Sequence, residues 1–388
     1  MIAPGAFLGL LGGGQLGRMF TMAAQSMGYR VMVLDPGRHS PAGHVADRHV
    51  WSDYLDPTAL AELGRCCSAI TTEFENVPAE ALERLAHSCV VSPAAASVAV
   101  AQDRIREKRF LAASGLRTAP FAVVEQRDDL HDGLDPELLP GILKRSRFGY
   151  DGKGQARVQT AEQVCAAFVA LGEEPCVLER MLPLVLELSV VVVRGFDGEM
   201  ATFPVAENVH AHGILDYCIA PARVPAALAA EARDAAITVA EALDYRGVLC
   251  VEFFVVEGGR LIANEIAPRP HNSGHYSIDA CVTSQFEQQV RVMAGLPLGD
   301  TSLHCPAVMV NILGDAWHTG EPQWARVLAH PRVKLHLYGK REPHPGRKMG
   351  HYTVLGDDLE RNLALALEIQ RALAASPVAV DTKMRGTA

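Results

Sequence analysis

Several features that define other protein classes are missing from this chain of 388 residues. Its 36 Lys and Arg are outnumbered by 45 Asp and Glu, so the net charge is −9 and there is no basic excess of the kind that nucleic-acid binders use. No apolar run approaches the roughly 18–20 residues that a membrane-spanning helix needs. The nine cysteines include no CxxC pair, which favours free thiols in a reducing compartment over zinc or redox chemistry. We therefore expect a cytoplasmic protein without nucleic-acid or membrane partners.

The order of apolar runs and glycines predicts an α/β fold of two or three domains. Residues 7–11 read as a buried strand, because no Lys or Arg precedes this apolar start and glycines follow it, unlike a signal peptide. A helix over 15–27 and a second strand over 30–35 complete a βαβ unit, which indicates a parallel sheet. We expect an N-terminal α/β domain over 1–98, a central domain over 99–299 and a small C-terminal domain over 300–388.

Further elements follow from periodicity and from turn residues. Gly258-Gly259 between two apolar runs predicts a hairpin. The predicted helices span 78–86, 102–114, 161–171, 225–243, 280–294 and 359–375, and the predicted strands span 69–72, 186–193, 248–256 and 261–265.

One loop combines three glycines and a lysine within seven residues, shortly after Lys144. Successive N–H groups of such a loop can form a concavity that binds an anion, and the lysine adds a point charge for phosphate. The pattern therefore predicts a lid over a polyphosphate, with an ordinary glycine-rich hairpin turn as the alternative. The loop consists of Gly149, Tyr150, Asp151, Gly152, Lys153, Gly154 and Gln155.

A second glycine cluster follows the first strand. Gly12, Gly14 and Gly17 have the GxGxxG-like spacing of a dinucleotide fingerprint, and Asp35 ends the second strand, where it could hold a ribose. An NAD site is one interpretation. The other is a Rossmann-like domain whose loop serves a different ligand.

Two carboxylates belong to the predicted hairpin. Antiparallel pairing across Gly258-Gly259 would place Glu252 opposite Glu265, and Asn264 could add a neutral oxygen. Facing carboxylates repel and need a cation, and Mg²⁺ is bound by one or two carboxylates together with substrate phosphates. Salt-bridged or solvent-facing glutamates are the alternative.

Two polar segments resemble substrate-binding loops. The run from Arg269 to His275 is dense in hydrogen-bond donors and directly follows the proposed metal strand. Arg347 and Lys348 lie between glycines, with Lys340 upstream, and such a cluster can bind a phosphate monoester. Solvated surface loops are the alternative for both.

In this order the motifs resemble the ATP-grasp superfamily, and within it the 5-(carboxyamino)imidazole ribonucleotide synthase family of purine biosynthesis. The resemblance covers nearly the whole chain. It is carried by the segments 12–18, 72–78, 149–155, 179–182, 264–275, 283–287 and 346–351 together with Glu252.

The resemblance implies an ATP-grasp fold. Its central domain would be α+β, its N-terminal domain a Rossmann-like, biotin-carboxylase-like parallel sheet, and its C-terminal domain small. It further implies that ATP and bicarbonate are used to carboxylate the exocyclic amine of 5-aminoimidazole ribonucleotide through carboxyphosphate. Two Mg²⁺ ions, with Mn²⁺ as a substitute, and a homodimer belong to the same expectation.

The resemblance also implies residue roles. The catalytic residues would be Lys153, Arg269 and His271, and the Mg²⁺ ligands Glu252 and Glu265. The ATP-binding residues would be Arg104, Lys144, Gly149, Tyr150, Asp151, Gly152, Lys153, Gly154, Gln155, Glu179, Arg180, Met181, Leu182, Glu187, His210, Asn264 and Glu265. The ribonucleotide would contact Gly14, Gln15, Leu16, Glu73, Asn76, Arg269, His271, Asn272, Lys340, Arg347 and Lys348, the last three at its 5′-phosphate.

Other functions compete with this interpretation. A formate-dependent glycinamide ribonucleotide transformylase and a biotin carboxylase share the superfamily, but the run from Arg269 to His275 argues against both. An NAD-dependent dehydrogenase built on residues 1–98 is an alternative from another class. A non-catalytic nucleotide sensor is a third, although it would not need to keep Glu252 and Glu265.

Overall fold

The structure is a computed structural model that describes residues 1–130, 134–147, 149 and 154–374. Its N-terminal part is a parallel sheet in the order β3-β2-β1-β4-β5. The strands are β1 (Phe7–Leu11), β2 (Arg30–Asp35), β3 (Arg48–Trp51), β4 (Cys67–Thr72) and β5 (Val90–Val91), and the helices are α1 (Gln15–Ser26), α2 (Pro57–Cys66) and α3 (Ala79–Leu85). Leu8 and Leu10 pack into one apolar cluster and Leu11 into another, so both faces of this sheet are covered. Continuous apolar strands are typical of such a doubly covered parallel sheet.

Two helices lead from this sheet into a small antiparallel one. The helices are α4 (Ala95–Ala101) and α5 (Arg104–Ala113). The strands β6 (Phe121–Val124), β7 (Gly141–Arg145), β8 (Gln155–Val158) and β9 (Cys176–Arg180) pair in the order β6-β9-β7-β8, and α6 (Ala161–Ala170) packs beside them.

The remaining strands form a nine-stranded antiparallel sheet in the order β15-β14-β10-β12-β13-β16-β18-β17, with the short β11 paired to β10. They are β10 (Leu184–Arg194), β11 (Met200–Thr202), β12 (Ala206–Ala211), β13 (Ile214–Ala220), β14 (Gly247–Val256), β15 (Arg260–Ala267), β16 (Ala307–Leu313), β17 (Val333–Leu337) and β18 (Lys348–Leu355). The helices of this part are α7 (Ala226–Ala242), α8 (Ser277–Ala280), α9 (Gln285–Ala294), α10 (Trp324–Leu328) and α11 (Leu359–Ala374).

The C-terminal strands continue the central sheet. β16 pairs with β13 from Tyr217↔Val310 to Ala220↔Ala307, so the chain after residue 300 adds three strands to a sheet that earlier residues begin. The division into 1–98, 99–299 and 300–388 stays a prediction.

The helix predicted over 280–294 is wrong as a single element. The structure divides it into α8 and α9, because Ser284 has extended backbone and its side chain accepts a hydrogen bond from the Glu287 N–H, which caps α9. The predicted helix over 102–114 likewise begins only at Arg104, where Asp103 is the cap. None of the helices in the described residues is both long and apolar enough to cross a membrane.

Candidate active site

One cavity of about 860 Å³ is lined by strand residues of both antiparallel sheets and by residues that follow β1 and β4 in the N-terminal part. It collects most of the residues that the sequence predicts for ATP, metal and ribonucleotide. The predicted residues that line it are Gly14, Gln15, Leu16, Glu73, Asn76, Arg104, Lys144, Gly149, Gln155, Glu187, His210, Glu252, Asn264, Glu265, Arg269, His271, Asn272, Lys340, Arg347 and Lys348.

The other predicted site residues fall into two groups. Gly154, Glu179, Arg180, Met181 and Leu182 are described but do not line this cavity, so their assignment to ATP stays a prediction. Tyr150, Asp151, Gly152 and Lys153 lie outside the described residues.

The predicted carboxylate pair is confirmed as a geometric arrangement. In the β14–β15 hairpin Glu252 pairs directly with Glu265. Burial and repulsion from Glu265 raise the pKa of Glu252 to about 8. Burial also acts to raise the pKa of Glu265, but Arg104 and Lys144 outweigh it and hold that pKa below its usual value. The two facing carboxyl groups therefore titrate differently, as expected when like charges share a buried site.

A bulge brings a third oxygen to the same place. The register shifts from Glu252↔Glu265 to Phe253↔Ala263, which leaves Asn264 as an extra residue in β15. In a regular strand Asn264 and Glu265 would face opposite sides, but here both line the cavity. The side-chain oxygen of Asn264 is buried, and no described residue forms a hydrogen bond with it.

These donors fit Mg²⁺. They are hard oxygen atoms, and an unpartnered buried oxygen lies beside the carboxylate pair. Within the described ranges no group of three or more His, Cys, Asp or Glu side chains is arranged to hold a metal by itself. The site therefore matches the Mg²⁺ pattern in which substrate phosphates complete the coordination.

A buried charge network lies at the wall of the cavity that Lys144 lines. Glu179 is 3.1 Å from Lys108 and 3.0 Å from Lys144, and all three side chains are nearly or fully buried. Burial acts to raise the pKa of Glu179, but the two lysines outweigh it and lower that pKa to about 2. Burial lowers the pKa of Lys144, and Glu179 partly offsets this effect. In this state Lys144 is held by a carboxylate at the cavity wall.

Sequence reasoning missed Lys108, a member of this network, and its neighbour Glu107, which lines the cavity. Both lie on α5 one turn after Arg104 and are 3% and 0% exposed. The sequence predicts a helix over 102–114 but assigns no role to either residue. The sequence does contain a signal for them. Glu107 and Lys108 follow Arg104 by three and four residues, which places all three side chains on one face of a helix.

Glu187 and His210 meet on neighbouring strands. The His210 Nδ1 is 2.9 Å from a Glu187 carboxylate oxygen, and β10 pairs with β12 at this point. Burial acts to lower the pKa of His210, but the hydrogen bond to Glu187 and the charges of Glu187, Glu252 and Glu265 together raise that pKa above its usual value.

The glycine loop after β1 binds an anion, but the anion is a side chain of the protein. The Glu73 carboxylate accepts hydrogen bonds from the Gly14 N–H at 2.7 Å and the Gly17 N–H at 2.9 Å, at the N-terminus of α1. A Cβ on Gly14 would lie 2.5 Å from a Glu73 oxygen, so this approach requires glycine. Asp35 accepts from the Gly13 N–H at 2.7 Å. These N–H groups are therefore already satisfied, which argues against the NAD interpretation.

Hydrogen bonds and charged contacts with neighbouring residues hold Arg269 and His271 in place. Arg269 donates to the Glu75 carboxylate. The Gln285 amide accepts from the His271 N–H at 2.8 Å and donates to the His271 carbonyl at 2.7 Å. The His271 Nε2 is 3.0 Å from Glu252. Burial and the charge of Arg269 hold the pKa of His271 well below its usual value, so the imidazole is neutral.

The C-terminal basic residues reach the N-terminal part of the cavity. Lys340 donates to the Gln15 side chain at 2.6 Å and to the Lys348 carbonyl at 2.6 Å. Arg347 donates to the Glu342 carbonyl at 2.7 Å. This cluster meets residues that the sequence assigned to the ribonucleotide, although 325 positions separate Lys340 from Gln15.

Comparison with known proteins identifies the class. Residues 109–286 match the ATP-grasp domain, residues 6–102 the ribonucleotide synthetase preATP-grasp domain, and residues 307–364 the phosphoribosylaminoimidazole carboxylase C-terminal domain. The fold is therefore that of an ATP-grasp ligase, as predicted.

Individual relatives narrow the class. The chain is 46% identical to N5-carboxyaminoimidazole ribonucleotide synthase of Brucella melitensis, over 91% of this chain and 97% of the relative. It is 43% identical to the synthase of Bacillus subtilis, over 92% and 93% of the two chains. This chain belongs to the N5-carboxyaminoimidazole ribonucleotide synthase family, which confirms the resemblance.

Solved structures of such synthases are similar to this chain over nearly its whole length. The synthetase of Thermus thermophilus is 42% identical with a TM-score of 0.88, covering 96% of this chain and 99% of that one. The Aspergillus clavatus synthase in complex with ADP and 5-aminoimidazole ribonucleotide is 31% identical with a TM-score of 0.87, covering 95% and 98%.

Proposed function

We propose that this chain uses ATP and bicarbonate to carboxylate the exocyclic amine of 5-aminoimidazole ribonucleotide, as a step of purine biosynthesis. The observation that carries the proposal is that one cavity is lined both by Arg104 and Lys144, suited to ATP phosphates, and by Lys340, Arg347 and Lys348, suited to a phosphate monoester. A simple ATPase would not need the second set.

The metal belongs to the ATP half. Glu252, Asn264 and Glu265 are the residues that would hold Mg²⁺, with two ions expected and Mn²⁺ as a substitute. When bound, Mg²⁺ would neutralise the negative charge that builds up on the transferred phosphoryl group. Arg104 pairs with Glu265 at 3.3 Å and Lys144 with Glu179 at 3.0 Å, so carboxylates of the protein position both cations at the cavity.

The chemistry proceeds in two balanced steps. A bicarbonate oxygen attacks the γ-phosphorus of ATP, the bond to the β-phosphate oxygen breaks, and ADP leaves carboxyphosphate behind. The ribonucleotide amine then bonds to the carbonyl carbon, the carbon–oxygen bond to phosphate breaks, and the amine loses a proton. The products are a carbamate and inorganic phosphate. Release of CO₂ from carboxyphosphate before attack gives the same products. Neither route needs a covalent enzyme nucleophile.

The chain's own residues have distinct tasks in these steps. Arg269, buried beside Glu75, offers a guanidinium to the negative charge of carboxyphosphate. Gln285 fixes the backbone of His271, and the neutral imidazole, which contacts Glu252 and the Ser273 hydroxyl, is assigned to take up the proton that leaves the amine. Lys153 is assigned to the ATP phosphates on sequence grounds. Carboxyphosphate hydrolyses in water, so we propose that the active site closes before the reaction begins.

A labelled-product experiment tests the reaction itself. With ¹³C-bicarbonate, ATP, Mg²⁺ and 5-aminoimidazole ribonucleotide, a ¹³C carbamate resonance should appear and depend on each component. A product formed with formate in place of bicarbonate would indicate a transformylase instead. No carbamate with all four components present would contradict the proposal.

We also propose, on the family resemblance, that the enzyme is a cytoplasmic homodimer with domains over 1–98, 99–299 and 300–388. All nine cysteines are free thiols, which is compatible with a reducing compartment. Light scattering of the purified protein tests the dimer: a mass near that of one 41.8 kDa chain would contradict it.

A further inference from the structure

Helix α5 holds the backbone of β15 on both sides of Glu265. The Lys108 Nζ donates to the Asn264 carbonyl at 2.7 Å, and a Glu107 carboxyl oxygen accepts from the Ile266 N–H at 2.7 Å. One turn earlier on the same helix, Arg104 pairs with the Glu265 carboxylate at 3.3 Å. Three side chains of one helix thus contact three consecutive residues of the strand.

The position of β15 explains why such contacts are needed. β15 is the edge strand of its sheet, and in the described part of the chain only an isolated bridge between Thr118 and Ala263 pairs with its outer side. Part of this edge is covered where the Ala263 N–H donates to the Arg117 carbonyl at 2.8 Å. Beyond that point the Asn264 bulge interrupts the regular ladder. A buried backbone group left unpaired is costly, and Glu107 and Lys108 supply the acceptor and donor that a next strand would provide.

The bulge is the feature that gives the cavity two adjacent ligands. A regular strand would turn either Asn264 or Glu265 away from the cavity, because neighbouring side chains alternate. Whatever stabilises the bulge therefore also fixes both oxygen donors. Glu107 and Lys108 do not need to touch nucleotide or metal to influence how these are bound.

We propose that Glu107 and Lys108 are positioning residues that hold the Asn264 bulge in the form that presents Asn264 and Glu265 together to Mg²⁺ and nucleotide. This inference rests on the proposed function, in which Asn264 and Glu265 bind the Mg²⁺–nucleotide complex. It predicts that loss of the Glu107 acceptor weakens the contribution of Mg²⁺ to nucleotide binding, and weakens metal-free nucleotide binding much less.

Two substitutions at one position separate positioning from general stability. Glu107→Gln keeps a carbonyl oxygen that can accept from the Ile266 N–H, whereas Glu107→Met has similar length and no acceptor. ADP binding is measured by calorimetry for each protein, once in EDTA and once in saturating Mg²⁺, with circular dichroism as a check on folding.

The wild type and Glu107→Gln should gain affinity for ADP from Mg²⁺ to the same extent. In Glu107→Met the affinity in Mg²⁺ should fall by about 10-fold, as expected for the loss of roughly 1.4 kcal/mol. The affinity in EDTA should change by less than about 2-fold. If Glu107→Met does not fold, Glu107→Asp, which withdraws the acceptor by one methylene, replaces it and should show the same selective loss.

Two results overturn the inference. A Met variant that keeps the full gain from Mg²⁺, or one that loses equal affinity with and without Mg²⁺, shows that Glu107 does not position the metal ligands. A wild type that gains nothing from Mg²⁺ overturns the metal assignment of the proposed function as well, so the two failures are distinguishable.

Discussion

Glu252 and Glu265 face each other across the β14–β15 hairpin, and each is held by a different partner. The His271 Nε2 is 3.0 Å from Glu252, and the Arg104 guanidinium is 3.3 Å from Glu265. The pair thus joins the loop assigned to the substrate to the helix whose Arg104 is assigned to ATP. Burial and repulsion from Glu265 raise the pKa of Glu252 to about 8, so a cation between the two carboxylates would favour the ionised form of Glu252.

Replacement of one carboxylate should abolish most activity while the fold survives. Glu265→Gln removes one of two charges proposed to neutralise Mg²⁺, with little change in volume. We expect turnover to fall by at least about 10²-fold, as for the loss of a transition-state electrostatic contact. Glu257→Gln, at the exposed tip of the same hairpin, is the matched control and should behave like the wild type. Full turnover in Glu265→Gln would refute the metal assignment.

The C-terminal basic cluster of Lys340, Arg347 and Lys348 should contribute to binding of the ribonucleotide and not to binding of ATP. Charge-assisted hydrogen bonds contribute roughly 1.5–3 kcal/mol each, so Arg347→Ala should raise the KM for the ribonucleotide by about 10- to 100-fold. The KM for ATP should barely change, whereas Lys153→Ala should affect ATP first. Arg341→Ala is the control, because Arg341 is exposed and does not line the cavity. A rise in the KM for ATP alone in Arg347→Ala would mean that the two anion sites are exchanged.

The Glu73 cap should contribute to stability as well as to binding. In Glu73→Gln one oxygen still accepts, but the amide NH₂ faces the N–H of Gly14 or Gly17, so one buried donor loses its partner. We expect the free energy of unfolding to fall by about 1–3 kcal/mol in denaturant titrations without ligands. The exposed Glu83→Gln serves as the control. Equal stability of the two variants would show that the cap is dispensable.

Glu107 should make the stability of the metal-free protein depend on pH. Burial, together with repulsion from Glu265, raises the pKa of Glu107 to about 8, whereas an unfolded glutamate titrates near 4.5. Between these values the folded state holds more protons than the unfolded state, so this group's contribution to stability is complete below about pH 4.5 and is lost as the pH rises toward 8.

Glu107→Gln removes this titration. In EDTA, the wild type should therefore lose stability relative to Glu107→Gln between pH 5.5 and 8, by at most about 1.4 kcal/mol per pH unit. Parallel unfolding curves of the two proteins across this range measure the difference. A constant difference, or a wild type that becomes relatively more stable as the pH rises, would contradict the shifted pKa.

Local patterns predicted part of the site and missed the rest for physical reasons. The Glu252–Glu265 pair was predictable because a short turn fixes the register of a hairpin. The Glu73 cap was not, since 59 residues separate it from Gly14 and only the packing of β4 beside β1 brings them together. The glycine spacing indicated an anion-binding site, but it could not show that the Glu73 carboxylate of the protein itself occupies that site.

Local sequence patterns also failed to predict which charged side chains are buried. A helix reading Arg104-Ile-Arg-Glu-Lys108 is polar enough to be assigned to the surface, yet Glu107 and Lys108 are buried because Glu179 and the edge of β15 pair with them. The single helix predicted over 280–294 was wrong for a similar reason. Periodicity continues through Ser284, whereas the chain turns there to bring Gln285 against His271.

The most direct test of the proposed function is phosphate release from ATP, Mg²⁺ and bicarbonate, measured with and without 5-aminoimidazole ribonucleotide. We expect slow phosphate release without the ribonucleotide and rapid release with it, at one phosphate per ribonucleotide consumed. Equal release in both conditions, or none when the ribonucleotide is present, would contradict the claim that one cavity couples ATP cleavage to carboxylation of the ribonucleotide amine.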